Sequence, residues 1–318
     1  MSPILEDGLA ALRRAARSLR RGLGHREPFS DLEMHLWMLA DGTRAEAYAK
    51  SIDLVVREGD VVVDVGAGTG LLSMMACRAG AARVYAIEET SVAALARLII
   101  EDNGMSDRIV LLEGRSTSLS LPEPADVVVS ETIGSFVFSE GILGTLHDAR
   151  SRFLRPGGAL VPGRIRIHMT PVECWREGIG FWERPVDGFD YTAARDHVAH
   201  GVPAAARKIE KEDHLAPPGL LYELDFTVGD EVFAFERELE FRALRDGTLH
   251  GFLGTWEALL HEDVVLRCDP EAPPVHWPPL HFRLPAGLAV RNGERIILNF
   301  ARRDPRRWSW RWNARIER

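Results

Sequence analysis

The stretch SETIGSFVFSEG, Ser130 to Gly141, carries two glutamates nine positions apart among small and apolar neighbours. Glu131 and Glu140 are the only ionisable residues between Asp126 and His147, whereas a solvated turn draws on Asn, Asp and Ser. Carboxylates held close together away from water repel, and one pKa rises unless a cation joins them. The pattern predicts a seat for a positively charged group; a surface loop with incidental acids is the competing reading.

A second group of residues points to a nucleotide-like ligand. In DVGAGTG (64–70), Gly66, Gly68 and Gly70 follow the apolar run VVVDV and precede GLLSMMACRAG. Glycines at a strand-to-helix turn permit positive φ and close approach of a ligand to the backbone. Glu88, at the end of the next apolar run, stands where an acid accepts hydrogen bonds from ribose hydroxyls. A dinucleotide fingerprint needs G-x-G-x-x-G/A, but the sixth position from Gly66 is Leu71. The spacing is instead D-x-G-x-G-x-G, with Asp64 ahead of the first glycine. A nicotinamide or flavin enzyme, or a plain tight turn, are the alternatives.

The elements that must position these groups alternate between strand and helix. Ser30-x-x-Glu33 reads as a capping box opening a short helix, and a second helix spans Thr43 to Val56. VVVDVG, RVYAIE, IVLLEG and ADVVVSE read as buried strands. Between them lie helices over GLLSMMACRAG and SVAALARLIIEDNG, and after them ILGTLHDARSRFL, stopped by Pro156-Gly157-Gly158. Continuous Val/Ile strands separated by helices predict an α/β, doubly wound (Rossmann-like) parallel sheet over residues 30–162. From 163 to 318 the pattern changes to alternating strands with Asp/Gly turns, which predicts an antiparallel β-barrel or sandwich, the barrel being the preferred form. An aromatic-rich insertion at about 175–200 has no period-2 pattern and reads as an arm.

Composition narrows the function. A net charge of −8 over 318 residues argues against broad binding to nucleic acid and suits basic substrates. Cys77, Cys174 and Cys268 are widely spaced, with no C-x-x-C pair, so neither a disulfide framework nor a metal site is expected, and a reducing cytoplasm fits. No export signal or membrane span is read. Residues 1–29 contain an amphipathic pattern at 8–23 with five arginines opposite leucines, either a solvated helix or one that meets a partner or a membrane surface.

Together these motifs resemble the protein arginine methyltransferases, class I S-adenosylmethionine-dependent enzymes, of which this chain looks like a divergent member. DVGAGTG is similar to motif I of that class, and SETIGSFVFSEG to the family's double-glutamate loop. MHLWMLADGTRAEAYAKSI (34–52) resembles the helix pair that folds over the cofactor, HDARSRFLRPGGALVPGR the exit from the α/β fold, and GFWERPVDGFDY the start of a dimerisation arm. PPVHWPP (273–279) resembles the T-H-W loop, with Val275 in place of Thr.

The resemblance implies an arginine N-methyltransferase with S-adenosylmethionine as cofactor and a helical arm that forms a homodimer. Its substrate would be a protein or peptide arginine, or free arginine. It implies Met38, Arg44, Asp64, Gly66, Gly68, Gly70, Glu88, Ser116 and Thr117 around the cofactor, with Arg44 facing the methionine carboxylate. Glu131 and Glu140 would be catalytic, and with Trp277 they would hold the substrate. His276 is implied as a proton relay or as a prop for Glu140, a packing histidine being the alternative. Another methyl acceptor, or a non-catalytic homologue, are the competing functions.

Four departures stand out. Gly24 to Phe29 lacks the family's tyrosines, Thr132 replaces a tryptophan, Ser135 and Ser139 replace aromatics, and Ser116-Thr117 replace an acid expected at the adenine amino group. A hydroxyl can still accept there.

Overall fold

The computed structural model describes residues 31–174, 182, 184–194, 204–206, 209–228, 234–303 and 310–318. The amphipathic stretch at 8–23 and most of the arm at 175–200 lie outside the described residues.

Two helices lead into the sheet: α1 (Leu32–Ala40) and α2 (Gly42–Val55). Each is opened by an aspartate whose carboxylate satisfies a free amide of the first turn. Asp31 accepts from the Glu33 N–H at 3.0 Å and Asp41 from the Arg44 N–H at 2.9 Å. The cap of α1 is therefore Asp31 and not the expected Ser30, which lies outside the described residues.

The α/β part contains β1 (Val61–Val65), α3 (Leu71–Arg78), β2 (Arg83–Glu88), α4 (Ala93–Asp102), β3 (Ile109–Glu113), β4 (Ala125–Ser130), α5 (Ile142–Arg152) and β5 (Leu154–Val161). The strands are parallel in the order β3-β2-β1-β4-β5. Burial on both faces explains the unbroken valine runs: Val62, Val63, Val127, Val128 and Val129 are all essentially inaccessible. The strand order reverses between β1 and β4, which opens a crevice at their carboxyl ends. Val65 and Ser130 are register partners, so Gly66 and Glu131 leave the sheet from the same rung.

One local expectation fails. Pro156-Gly157-Gly158 does not form a turn after the helix but lies inside β5. Leu154 pairs with Ala125 and Ala159 with Val127, so four residues loop out of an edge strand, with Gly157 at φ 76°. A bulge at a sheet edge tolerates Pro and Gly that a central strand would not.

Beyond the cis bond between Val161 and Pro162 the chain becomes antiparallel. Its strands are β6 (Arg164–Val172), β7 (Ala204–Ala205), β8 (Gly219–Asp225), β9 (Phe235–Arg242), β10 (Gly247–His261), β11 (Val264–Cys268), β12 (Leu280–Val290), β13 (Arg295–Arg302) and β14 (Trp310–Glu317). They form one sheet in the order β7-β12-β10-β6-β8, with β11 added to β10, and a second in the order β14-β13-β9. The two are joined by aromatic packing: Phe282 lies 5.1 Å from Phe300 and 5.2 Å from Trp312.

The α/β and antiparallel parts share one core. Phe136, from the loop after β4, packs 4.9 Å from Phe282 and 5.6 Å from Trp310. On the other side Ser51 in α2 donates to the Leu260 carbonyl at 2.9 Å. Among the described residues no helix is long and apolar enough to cross a membrane.

Candidate active site

A cavity of about 310 Å³ opens at the carboxyl ends of β1, β2 and β4. Met38, Arg44, Gly66, Gly68, Glu88, Ser116, Thr117, Glu131 and Glu140 all line it, as do His35, Thr132 and Thr145.

The glycine loop is built for close approach. Gly66 has φ 77°, and a Cβ there would sit 2.8 Å from Cγ2 of Thr132. Gly68, at φ 56°, lies under the imidazole of His35, and its N–H donates to Oε2 of Glu88 at 2.8 Å. The Thr90 N–H donates to the other Glu88 oxygen at 2.8 Å. Glu88 is thus fixed by two amides at the cavity wall, which orients its carboxylate for a hydroxyl-bearing ligand. Ser116 and Thr117 share a short 3-10 turn, held by Arg152 donating to the Ser116 carbonyl at 2.5 Å.

Two expected cofactor contacts are not in the lining. Asp64 lies on β1 behind the loop, fully buried, accepting from the Ser73 hydroxyl of α3 at 2.7 Å. Burial raises its pKa to about 6. Gly70 stands at the N-cap of α3 with φ 86°. Both shape the turn from outside the cavity lining.

The two glutamates converge from a loop that folds back on itself. Gly134, at φ 72°, leaves no room for a side chain, since a Cβ would meet Ser139 Oγ at 2.0 Å and Glu140 Cγ at 3.1 Å. Between them Phe136 and Val137 are completely buried. Val137 takes φ 61°, and the Phe138 N–H reaches the Phe136 carbonyl at 2.6 Å, a tight and strained turn for a β-branched residue. Apolar residues between the acids therefore anchor the loop in the shared core and return Glu140 towards Glu131.

Burial dominates the electrostatics and pushes each carboxyl up to about 7. Arg44 opposes this at Glu131 through an ion pair from Nη1, while its Nη2 donates to the Met38 carbonyl at 2.6 Å. Arg44 Nε and Glu131 Oε1 have no hydrogen-bond partner among the described residues. The expected partner of Arg44 was a ligand carboxylate; in this structure the guanidinium rests on Glu131.

The T-H-W-like loop lies behind the cavity wall and not in its lining. His276 gives both its ring Nδ1 and its backbone N–H to Oδ2 of Asp41, each at 2.8 Å. Its partner is therefore the capping residue of α2. Trp277, expected at the substrate, is buried, and its indole stands close enough to Glu140 to hold that carboxyl's pKa down against burial. Asp41 was not singled out for the site from sequence, although an Asp before Gly-Thr-Arg is an N-cap signal. Tyr48, also missed, is a fully buried phenol that donates to the Ser130 carbonyl at 3.1 Å beneath Glu131.

Comparison with known proteins accounts for both halves of the chain. The family model of the arginine methyltransferase oligomerization subdomain matches residues 164–315, and that of ribosomal protein L11 methyltransferase (PrmA) matches residues 46–165. Protein arginine N-methyltransferase 1 of Schizosaccharomyces pombe is 32% identical over 283 residues, covering 85% of this chain and 82% of the relative. The chain belongs to the protein arginine methyltransferase family. Protein arginine N-methyltransferase 1 of Saccharomyces cerevisiae is 31% identical, over 83% of this chain and 78% of its own. Among solved structures, the Trypanosoma brucei PRMT1 enzyme–prozyme heterotetrameric complex with AdoHcy superimposes with a TM-score of 0.80 at 25% identity. That match covers 92% of this methyltransferase and 100% of the chain compared.

Proposed function

We propose that in this S-adenosylmethionine-dependent arginine N-methyltransferase Glu131 and Glu140 grip the guanidinium of an arginine, while Arg44, Gly66, Gly68 and Glu88 hold the cofactor. The observation that carries the reading is the placing of a buried and a half-buried carboxylate, each raised to about 7, in one cavity with the glycine loop. The donor set fits the cofactor: backbone-only glycines for close approach, a fixed carboxylate for hydroxyls and a buried arginine for a carboxylate. S-adenosylmethionine supplies an electrophilic methyl group on a sulfonium.

The chain's own residues supply the rest. An arginine keeps its proton to a pKa of roughly 12.5–13.8, and its delocalised charge makes it a poor nucleophile. Charge-assisted hydrogen bonds from the guanidinium to Glu131 and Glu140 draw positive charge towards the bonded nitrogens and leave electron density on another. They also fix its orientation, and a well-oriented pair recovers on the order of 7–11 kcal/mol. Asp41 and His276 act as a positioning pair, since Asp41 caps the helix that carries Arg44. The similarity to protein arginine methyltransferases favours a protein or peptide arginine over free arginine.

Methyl transfer from labelled S-adenosylmethionine to arginine peptides, with free arginine in a parallel arm, tests the activity, and its pH profile tests the site. The guanidinium needs charged carboxylates. Their pKa values lie above the ordinary range, so the competent form is lost as pH falls through about 7. The value of kcat/KM should drop on the acid side by about tenfold per pH unit for each proton taken up. A profile flat down to about pH 5.5 would contradict the assignment.

We further infer a two-fold homodimer. The oligomerization subdomain match supports it, as do Phe189 and Tyr191 in the described part of the arm, which are 69% and 43% exposed. Sedimentation at micromolar concentration should give a dimer; a monomer would count against it.

A further inference from the structure

Against Trp277 stands a second tryptophan that none of the site motifs includes. Trp256, on β10, is completely buried, and its indole N–H has no hydrogen-bond partner among the described residues. A phenylalanine or leucine would fill a core position without leaving a buried donor unpaired, a cost native structures seldom accept without cause. Its neighbours supply the cause. The Trp256 ring meets Trp277 edge to face, with centroids 5.3 Å apart and planes at 68°. Directly opposite Trp256 in the β10–β11 register is Cys268, whose Sγ donates to the Trp277 carbonyl at 3.4 Å. On its far side Trp277 lies 3.8 Å from the His276 ring.

The rung formed by residues 256 and 268 thus holds Trp277 twice, by its main chain and by its ring. We propose that Trp256 is a positioning residue for methyl transfer: it fixes the indole of Trp277, whose N–H in turn orients the Glu140 carboxylate. The inference rests on the role of Glu140 given above. It explains why an aromatic with a large edge sits at a position facing only protein. Edge-to-face pairs contribute beyond the area they bury and hold one ring at a defined angle to the other. A freely rotating Trp277 would offer its N–H to Glu140 only part of the time.

A purely structural tryptophan and a positioning one differ in what their loss does to Glu140. The Trp277 hydrogen bond stabilises the charged carboxylate against burial, so weakening it must move the acid limb of the rate profile to higher pH. The test uses the full chain, an arginine peptide and S-adenosylhomocysteine as the binding probe. Trp256→Leu should leave S-adenosylhomocysteine affinity within about twofold, reduce kcat by about five- to tenfold, and shift the limb by about half a pH unit upwards. Trp256→Phe keeps a ring and should fall between this variant and the parent. It also carries the test should Trp256→Leu fail to fold, since a limb left at the parental pH in Trp256→Phe would then overturn the proposal.

Phe252→Leu, a completely buried substitution four residues earlier on the same strand, should lower thermal stability without moving the limb. An unmoved limb in Trp256→Leu, or the same shift in Phe252→Leu, would overturn the proposal. Glu140→Gln separates the two levels. If it is inactive while Trp256→Leu keeps the parental limb, only the role of Trp256 fails; if it retains parental rate, the role of Glu140 itself fails.

Discussion

Glu140→Gln is expected to slow single-turnover methylation of an arginine peptide by roughly 30- to 1000-fold, because losing a charge-assisted contact in a water-poor site costs about 2–4 kcal/mol of transition-state stabilisation. The substitution keeps shape, removes the charge and exchanges one acceptor oxygen for an amide donor. Cofactor affinity should stay within a few fold, since the side-chain partner of Glu140 is Trp277 and not the glycine loop. Glu131→Gln should slow transfer to a similar extent but differ in binding. Glu131 neutralises Arg44, so its loss leaves that guanidinium free for an incoming carboxylate, and the cofactor should bind at least as tightly as to the parent. A peptide carrying citrulline, the neutral isostere of arginine, is the control. Near-parental transfer by Glu140→Gln, or competition by citrulline equal to that by arginine, would remove the basis for the paired-carboxylate site.

Arg44→Leu should have the second large effect, on the cofactor. Arg44 is only 6% exposed and spans Glu131 and the Met38 carbonyl. A hydrogen bond to a charged group contributes about 1.5–3 kcal/mol, so the affinity for S-adenosylmethionine measured by calorimetry should fall on the order of 10- to 150-fold. The substitution also strips a buried carboxylate of its cation, which in a dry site costs about 3–5 kcal/mol unless the group takes up a proton. Glu131 has that escape. Its carboxyl is already raised to about 7 with Arg44 holding it down, and without Arg44 it rises further. The ligand-free variant should therefore be most nearly parental in stability at acid pH and lose ground as pH increases through and beyond neutrality, where the proton must leave. Adding Glu131→Gln should restore the thermal midpoint at alkaline pH while leaving cofactor binding weak. Cofactor affinity within twofold of the parent in Arg44→Leu would show that the carboxylate is held elsewhere.

Much of this protein was determined locally and could be read in one dimension. Strands buried on both faces need uninterrupted Val and Ile, so VVVDV and ADVVVS declare a parallel sheet. A strand-to-helix turn that must approach a ligand needs glycine at positive φ, so DVGAGTG marks a candidate ligand loop, and Gly66 and Gly68 line the cavity. Glu131 and Glu140 stand out as a candidate cation site by the absence of other ionisable groups around them.

What the tertiary structure alone decided depends on residues far apart in the chain. The register of Val65 with Ser130 sets the glycine loop beside the glutamate loop. Asp41 meets His276 across 235 positions, and Trp277 is set beside Glu140. Arg44 rests on Glu131 because two opposite charges withdrawn from water in one cavity pair with each other. Asp64, whose position in motif I implied a ligand contact, lies beneath α3 against Ser73, since whether a carboxylate near the end of a strand faces the ligand or the helix depends on which side of the sheet the helix covers. The Pro-Gly-Gly run became a bulge inside β5, because an edge strand can loop out residues that would end any other element. Composition and period specify what each segment can be; which groups meet is decided by strand order and the packing of one shared core.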